Sequence, residues 1–262
     1  CMAAPASVEK VTSVTHYTDS LFSFKITRPE TLRFKPGQFI MLGLKIDNKP
    51  LMRAYSIASG PYNEELEFYS IKIPDGPLTS RLQYIKLDDE VLLGSKAVGN
   101  LTPWDIRLGK RLFLLSTGTG IAPFASILKD PETYEGFETV VLTHTCRRLE
   151  DLAYGHHLLD AVKSDPLCGE KAVKKLLYYP SVTQEENLVV SVNCGRITEL
   201  IETQKLFKDL HISPFNSDVD RVMVCGSMDM VKDMGKILNS YNMSHSSGKE
   251  HKEYAYERAF VG

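Results

Sequence analysis

The sequence predicts a two-domain protein, in which a six-stranded antiparallel β-barrel precedes an α/β domain built on a parallel sheet. The length of 262 residues is sufficient for two domains. The first hundred residues consist of short strand-like stretches, whereas apolar strands alternate with helical segments after Trp104. We place the domain boundary between residues 1–105 and 106–262.

The stretches in the first domain show the period of two that is typical of half-buried strands. In "LFSFKIT" this period separates two sets of side chains: Leu21, Ser23 and Lys25 against Phe22, Phe24 and Ile26. The turn sequences "KPGQ", "DNKP", "SGPYNEE" and "PDGP" separate the strands. The predicted strands are 8–18, 21–27, 38–45, 53–59, 66–73 and 90–95. Six short strands with few helices favour a small antiparallel barrel.

In the second domain each apolar strand precedes a helical pattern, which predicts a parallel sheet with helices on both faces. The predicted strands are 111–116, 139–145, 174–182 and 221–226, with "YAYERAFVG" as a last strand at the end of the chain. "GRITELIETQKLFKDL" is predicted to be helical. The helix after "RVMVCG" has apolar residues at helical spacing, namely Met230, Val231, Met234, Ile237 and Leu238.

The composition excludes several classes of protein. The net charge of −2 gives no indication of bulk nucleic-acid binding. No apolar run approaches the roughly 20 residues of a membrane span, and "CMAAPASVEK" lacks the apolar core of a signal peptide. The cysteines after position 1 lie more than 20 residues apart, so neither an iron–sulfur cluster nor another metal site is predicted. We expect reduced thiols and a cytoplasmic protein.

Two turns are candidate phosphate sites. "STGTGIAP" at 116–123 follows a strand and opens a helix, so Gly118 and Gly120 allow a ligand close to free helix-start amides. It is not GxGxxG, because Pro123 replaces the third glycine, and the alternative is an ordinary turn. In "PDGPLTSRL" at 74–82, Thr79 and Ser80 suit either a helix N-cap or a pyrophosphate, and local evidence favours the cap.

Arginines and a cysteine follow the predicted parallel strands. Arg147 and Arg148 come after one strand and Arg196 precedes a helix, so they are expected near the carboxyl ends of the strands, where such sheets bind ligands. There they suit a phosphate, and the alternative is that they are solvated surface side chains. Cys225 ends another strand, either as a small buried residue or as part of an active site.

The stretch "RAYSIAS" at 53–59 combines a cation, an aromatic ring and a hydroxyl in one predicted strand. Together with "STGTGIAP", "VCGSMDM" and the terminal "ERAFVG", "RAYS" resembles the ferredoxin–NADP reductase family. The resemblance runs from about Val11 to Gly262, and "AFV" is a feature of the bacterial ferredoxin/flavodoxin branch. It implies an FAD-binding barrel and an NADP(H)-binding α/β domain.

The resemblance also implies individual roles toward FAD. Arg53 would meet the pyrophosphate, Tyr55 would stack on the isoalloxazine, and Ser56 would lie near the reactive nitrogen N5. Thr119 would touch the flavin from the second domain. The other residues implied in FAD binding are Ala54, Tyr69, Ser70, Ile71, Lys72, Pro77, Leu78, Thr79, Ser80, Ala259 and Phe260.

Toward NADP(H), Arg147 and Arg196 match the family's clamp on the 2′-phosphate. Gln184, after Thr183, stands where the bacterial branch commonly has a third arginine, and this departure weakens the predicted preference for NADP over NAD. Arg148 is the candidate compensation. The remaining residues implied are Thr117, Gly118 and Gly120 in the turn, and Cys225, Gly226 and Ser227 beside the nicotinamide.

The implied activity is hydride transfer between nicotinamide and flavin, with single electrons passing to or from ferredoxin or flavodoxin. Ser56, Cys225 and Ala259 would adjoin the reacting atoms, and the protein is expected to be a monomer. Three alternatives are an NAD(P)H-dependent flavin or oxygenase reductase, a non-catalytic flavin subunit, and a cofactor-free protein. Oxygenase reductases usually carry an iron–sulfur domain, which the cysteines of this chain do not provide, and the arginines argue against a non-catalytic subunit.

Overall fold

A computed structural model describes residues 5–185 and 192–260. The first part of the chain forms a six-stranded antiparallel sheet with the strand order β4-β3-β6-β1-β2-β5. Its elements are β1 (Ser7–His16), β2 (Leu21–Thr27), β3 (Phe39–Ile46), β4 (Lys49–Ser56), β5 (Glu65–Ile71), the short helix α1 (Thr79–Leu82) and β6 (Glu90–Leu93). The predicted antiparallel barrel is therefore confirmed.

The barrel is closed between its two edge strands just beyond the end of β4. The amide of Ala58 donates to the carbonyl of Glu67 on β5 at 2.8 Å, and the hydroxyl of Ser59 accepts from the Glu67 amide at 3.0 Å. The interior is filled by large apolar side chains that alternate along the strands. They include Phe22, Phe24, Ile40, Leu42, Tyr55, Phe68 and Leu93.

The second sheet is parallel and has the strand order β10-β9-β8-β7-β11-β12, as predicted for the α/β domain. Its strands are β7 (Arg111–Thr117), β8 (Thr139–Cys146), β9 (Leu176–Val182), β10 (Asn193–Cys194), β11 (Asp220–Gly226) and β12 (Tyr254–Arg258). The helices are α2 (Ala122–Leu128), α3 (Pro131–Gly136), α4 (Ala153–Lys163), α5 (Gly169–Lys175), α6 (Ile197–Glu202), α7 (Lys205–Asp209) and α8 (Met228–Ser240). The predicted apolar face of α8 is buried throughout.

Several predicted boundaries are wrong. Strand β4 begins at Lys49 and ends at Ser56, because the turn is confined to Asp47 and Asn48, which both have left-handed backbone (φ 48° and 65°). The predicted helix after Gly195 is two helices, α6 and α7, because Gln204 between them has φ 65°. The last strand ends at Arg258. The final two residues of the predicted strand, 261 and 262, lie outside the described residues.

The period of two in β2 predicts one exposed face, but only Lys25 on that face is exposed. Leu21 and Ser23 are buried. Leu21 belongs to an apolar cluster shared with the second domain, and the hydroxyl of Ser23 lies 2.9 Å from that of Tyr17, which also packs on this cluster. The outer face of this part of the barrel is therefore a domain interface. Within the described residues, no helix is both long and apolar enough to cross a membrane.

Candidate active site between the two domains

Strand β4 places the residues of "RAYS" in register with β3. Tyr55 is opposite Ile40, and Ser56 is opposite Phe39. Tyr55 is only 3% exposed; its ring meets Phe68 edge-on, and its hydroxyl lies 3.2 Å from that of Ser70. Burial raises the pKa of Tyr55, so the phenol stays protonated and is available as a hydrogen-bond donor. Ser56 is 8% exposed.

Tyr69 and Ser70 of β5, both predicted to contact FAD, point to opposite faces of the strand, as successive strand residues must. Ser70 faces Tyr55 inside the barrel. The ring of Tyr69 instead lies flat on Tyr154 of α4, with ring centroids 4.0 Å apart and planes 10° apart. The structure therefore brings Ser70 to the "RAYS" strand, whereas the Tyr69 ring belongs to the domain interface. Ile71 and Lys72, which follow, are half-buried.

The turn at 77–80 does not contain the predicted side-chain cap. The N-cap of α1 is Leu78, without a side-chain cap hydrogen bond. The hydroxyl of Thr79 instead donates to the carbonyl of Ile73 at 3.2 Å, so it is not free to bind a phosphate. Among the described residues, the amides of Leu78 and Thr79 make no hydrogen bond. These two amides are thus the remaining donors of this turn, although Leu78 and Thr79 are fully buried and only Pro77 and Ser80 reach the surface.

The glycine turn after β7 begins as a 3-10 turn (Gly118–Ile121), where an α-helix was predicted directly, and continues as α2. Gly118 has φ 54°, a left-handed conformation that favours glycine. A side chain at Gly120 would lie 2.2 Å from the carbonyl oxygen of Cys225, so only glycine fits. Nε2–H of the buried His144 donates to the carbonyl of Gly118 at 2.9 Å. Burial lowers the pKa of His144 to about 4, which keeps it neutral.

The end of β11 meets this turn and the end of the chain. The amide of Ser227 donates to Thr117 Oγ1 at 3.3 Å, and the amide of Ala259 donates to the carbonyl of Gly226 at 2.9 Å. Cys225 is 1% exposed, and burial raises the pKa of its thiol well above its ordinary value. The thiol therefore stays protonated, and it presents a small, weakly polar surface rather than a nucleophile.

The last described residue links this region to the barrel. The ring of Phe260 lies 4.8 Å from the ring of Phe39, which is the strand partner of Ser56. Contacts therefore run from the glycine turn through Gly226 and Ala259 to the "RAYS" strand. These contacts connect the segments that carry the residues predicted to adjoin the reacting atoms, although the segments come from opposite ends of the chain.

The predicted phosphate arginines lie at the carboxyl ends of adjacent strands. The amide of Gln184 donates to the carbonyl of Arg147 at 2.9 Å, and the Gly195 amide donates to Val182, which places Arg196 next to them. The arginines at 147, 148 and 196 are exposed, as are Thr183 and Gln184. Within residues 5–185 and 192–260 their guanidinium groups form no ion pair, so they are free for an external anion.

Glu257 is a site residue that the sequence reasoning missed. It lies opposite Cys225 in the β11–β12 register, and its Oε1 is buried without a hydrogen-bond partner among the described residues. Burial raises its pKa to about 7. The available signal was a carboxylate two residues before the small Ala259, but its neighbour Cys225 on β11 lies 32 positions earlier in the chain.

The residues fit a phosphorylated flavin in the barrel and a phosphorylated nucleotide on the sheet. The barrel offers the half-buried guanidinium of Arg53, which donates to the carbonyl of Met52, and the amides of Leu78 and Thr79, which have no partner among the described residues. The sheet offers a glycine turn that a ligand can approach closely, and three exposed guanidinium groups that form no ion pair within the part of the chain that the structure describes. This geometry defines a class of two-domain oxidoreductases that combine a flavin with a nicotinamide nucleotide.

Comparisons with known proteins support this class. The family model "Oxidoreductase FAD-binding domain" matches residues 5–97, and "Oxidoreductase NAD-binding domain" matches residues 114–236. The flavodoxin/ferredoxin–NADP reductase of Rhodobacter capsulatus is 52% identical over 99% of this chain and 96% of its own length. The ferredoxin–NADP reductase of Pseudomonas aeruginosa is 49% identical over 97% of each chain.

Among solved structures, a ferredoxin NADP+ reductase from Neisseria gonorrhoeae with bound FAD and NADP is similar with a TM-score of 0.87 and 33% identity. The match covers 97% of this chain and 98% of that one. The chain belongs to the ferredoxin/flavodoxin–NADP reductase family.

Proposed function

We propose that this protein is a flavoenzyme that moves a hydride between NADP(H) and FAD and exchanges single electrons with ferredoxin or flavodoxin. The observation that carries the proposal is the contact series from the glycine turn through Gly226, Ala259 and Phe260 to the "RAYS" strand. It joins the predicted nicotinamide residues to the predicted flavin residues. Family membership and the two matched domain models support the same enzyme class and cofactors.

FAD, when bound, accepts two electrons as a hydride and releases them one at a time, and the protein aligns the two rings. In the proposal, Tyr55 would supply a flat face, Arg53 would neutralise phosphate charge, the amides of Leu78 and Thr79 would donate to phosphate oxygens, and Ser56 would offer a hydroxyl at the flavin edge. The remaining proposed FAD contacts are Ala54, Ser70, Ile71, Lys72, Pro77, Ser80, Thr119 and Phe260, with Tyr69 contributing its backbone.

On the nucleotide side, we propose that the arginines at 147, 148 and 196 bind the 2′-phosphate, beside Thr183 and Gln184. Their exposure and lack of described ion pairs support this role. Thr117, Gly118 and Gly120 form the floor for the nucleotide. Cys225, Gly226 and Ser227 would hold the nicotinamide, and the small Ala259 would leave room for it beside the flavin.

Three finer points belong to the same proposal. We place the domain boundary between residues 105 and 106, which lies between the last barrel strand and β7. We propose a cytoplasmic protein, and the free thiols at positions 146, 168, 194 and 225 support a reducing environment. We propose a monomer, because both halves of the candidate site come from one chain.

The test is whether the purified protein is yellow and is bleached by NADPH without oxygen. The flavin released on denaturation should be FAD. An Arg53→Ala variant should hold FAD about ten- to a hundredfold more weakly, because a charge-assisted hydrogen bond contributes roughly 1.5–3 kcal/mol. Lys45→Ala is the matched control, since Lys45 is exposed on the neighbouring strand β3.

Folded protein that takes up no FAD from an excess would disprove the proposal. Electron transfer to free flavins, with none to ferredoxin or flavodoxin, would favour the flavin-reductase alternative instead.

A further inference from the structure

A buried ion pair joins the two domains away from the predicted phosphate sites. Nζ of Lys129 lies 2.7 Å from Oε2 of Glu67, and the two side chains are only 14% and 10% exposed. Nζ also donates to the carbonyl of Ala58 at 3.1 Å. The hydroxyl of Tyr154 donates to the same Glu67 oxygen at 3.3 Å. We call Lys129, Glu67, Ala58 and Tyr154 the interdomain clamp.

On the barrel side, the clamp holds the point at which the barrel closes. The amide of Ala58 donates to the carbonyl of Glu67, and this bond joins the edge strands β4 and β5. Lys129 binds one group from each of these two segments. Ala58 lies two residues after Ser56, so the clamp fixes the end of the strand that carries "RAYS".

On the other side, the clamp holds the far end of the helix that leaves the glycine turn. Lys129 is the C-cap residue of α2, and the helix begins directly after the 3-10 turn that contains Gly118 and Gly120. Seven helical residues span about 10 Å and form a stiff unit. A lateral shift at Lys129 is therefore transmitted to the turn, because the helix moves as one body.

Stability alone does not explain a clamp of this kind. Taking two charges out of water is costly, and apolar residues of similar size often stabilise a fold as well or better. An apolar interface is already present here, since Leu21, Ala58 and Tyr69 of the barrel share a cluster with the second domain. Directional hydrogen bonds add a defined register between the two surfaces, which an apolar contact alone does not provide.

We propose that Lys129 and Glu67 are positioning residues that set the register between the flavin half and the nicotinamide half of the site. The inference rests on the proposed function. In this inference the clamp aligns the flavin and nicotinamide rings, and it contacts neither cofactor. Loss of the clamp should therefore slow the hydride step without weakening either cofactor, because a misplacement of about 1 Å can cost roughly a hundredfold in rate.

The main test is the double variant Glu67→Leu/Lys129→Met in the FAD-loaded protein, which leaves no unpaired buried charge. We expect flavin reduction at saturating NADPH to slow by about ten- to a hundredfold. We expect the long-wavelength charge-transfer absorbance of the NADPH complex to weaken. Affinities for FAD and for NADP+ should stay at wild-type values. Lys129→Arg keeps the charge and the donors and should restore most of the rate.

Lys171→Met is the matched control, because Lys171 pairs with Glu135 at 2.8 Å within the second domain. It should reduce at the wild-type rate. Lys129→Met alone removes both bonds from Nζ to the barrel, and it is the second variant if the double variant does not fold. Wild-type hydride transfer in the folded double variant, or in Lys129→Met, would overturn the inference. So would a rate loss explained entirely by weaker cofactor binding. If wild-type protein is not reduced by NADPH, the proposed function itself fails, and the inference fails with it.

Discussion

In the proposed function, the exposed arginines around Gln184 set the preference for NADPH over NADH. Arg196 stands at the N-cap position of α6 with extended backbone (φ −72°, ψ 145°), so its substitution leaves the helix intact. We predict that Arg196→Ala lowers kcat/KM for NADPH by about ten- to a hundredfold, or roughly 1.4–3 kcal/mol. The value for NADH should barely change, because NADH has no 2′-phosphate. Steady-state kinetics with both nucleotides provide the measurement.

The control for this prediction is Lys208→Ala on the neighbouring helix α7, where Lys208 is exposed. Equal losses for NADPH and NADH in Arg196→Ala would show that Arg196 has a structural role. A preference of the wild-type enzyme for NADH would show that Gln184 has changed the specificity.

Glu257 makes stability depend on pH in a defined direction. Its pKa is raised from 4.5 to about 7 in the folded protein, so the folded state binds more protons than the unfolded state between these values. Stability must therefore fall as pH rises from about 4.5 to 7 and then level off. At about 1.4 kcal/mol per pKa unit, and with allowance for partial exposure, the loss is on the order of 1–3 kcal/mol.

We predict that Glu257→Gln removes this part of the pH dependence, because the amide has no charge to bury. Urea unfolding of both proteins between pH 5 and 8 gives the difference in the free energy of unfolding. Glu138→Gln, at an exposed position, should follow the wild type. Parallel curves for wild type and Glu257→Gln would contradict the prediction.

Single residues also show what sequence reasoning can reach. "RAYS" was recognisable because three chemically distinct side chains share one short strand. Thr79 was assigned a cap and a phosphate role from its local neighbours, but its hydroxyl binds Ile73. Glu257 gave no comparable local signal, because β11 and its own strand β12 are adjacent only in the folded sheet.

At the scale of elements, the role of the segment after β12 can be tested by truncating the chain. Deleting residues 260–262 leaves β12 and the bond from Ala259 to Gly226 intact but removes the ring of Phe260 from Phe39. We predict that FAD binds about two- to tenfold more weakly, since the proposed contact of the Phe260 ring with the flavin would contribute roughly 0.5–1.5 kcal/mol. Thermal unfolding with saturating FAD should change little.

FAD titration, thermal unfolding and stopped-flow reduction by NADPH on the truncated protein check this prediction. Phe39→Leu tests the same contact from the barrel side. Unchanged FAD affinity and an unchanged rate would show that the end of the chain is not part of the site. A collapse of the melting temperature would instead show that it completes the core.

Elements with a strong period were predictable, and breaks within them were not. The apolar face of α8 follows from its spacing, and all five predicted residues are buried. The break between α6 and α7 depends on the left-handed backbone of Gln204, a residue type that carries no strong turn preference. Strand β10 is only two residues long and therefore has no period to detect.

At the scale of the molecule, the change of period near Trp104 was enough to predict two domains, but not how they meet. The period of two in β2 places Leu21 and Ser23 on one face with the exposed Lys25, but Leu21 packs in a cluster with the second domain and Ser23 is also buried. A pattern within one strand indicates only whether a face is apolar. Because Ser23 is polar, the pattern gives no indication that this face is buried. The clamp was equally hidden, because its charged residues lie 62 positions apart in the chain.

The clamp also has a consequence for how the protein is made. Tyr154 follows Glu67 by 87 residues, so a ribosome adding roughly 5–20 residues per second needs about 4–17 s to connect them. Once β6 (Glu90–Leu93) has been added within this interval, the nascent barrel has all six strands, but its flank at Leu21, Ala58 and Tyr69 is still uncovered. That apolar flank is the surface through which unfinished chains would stick to one another or to a chaperone, until α2 and α4 leave the exit tunnel and cover it.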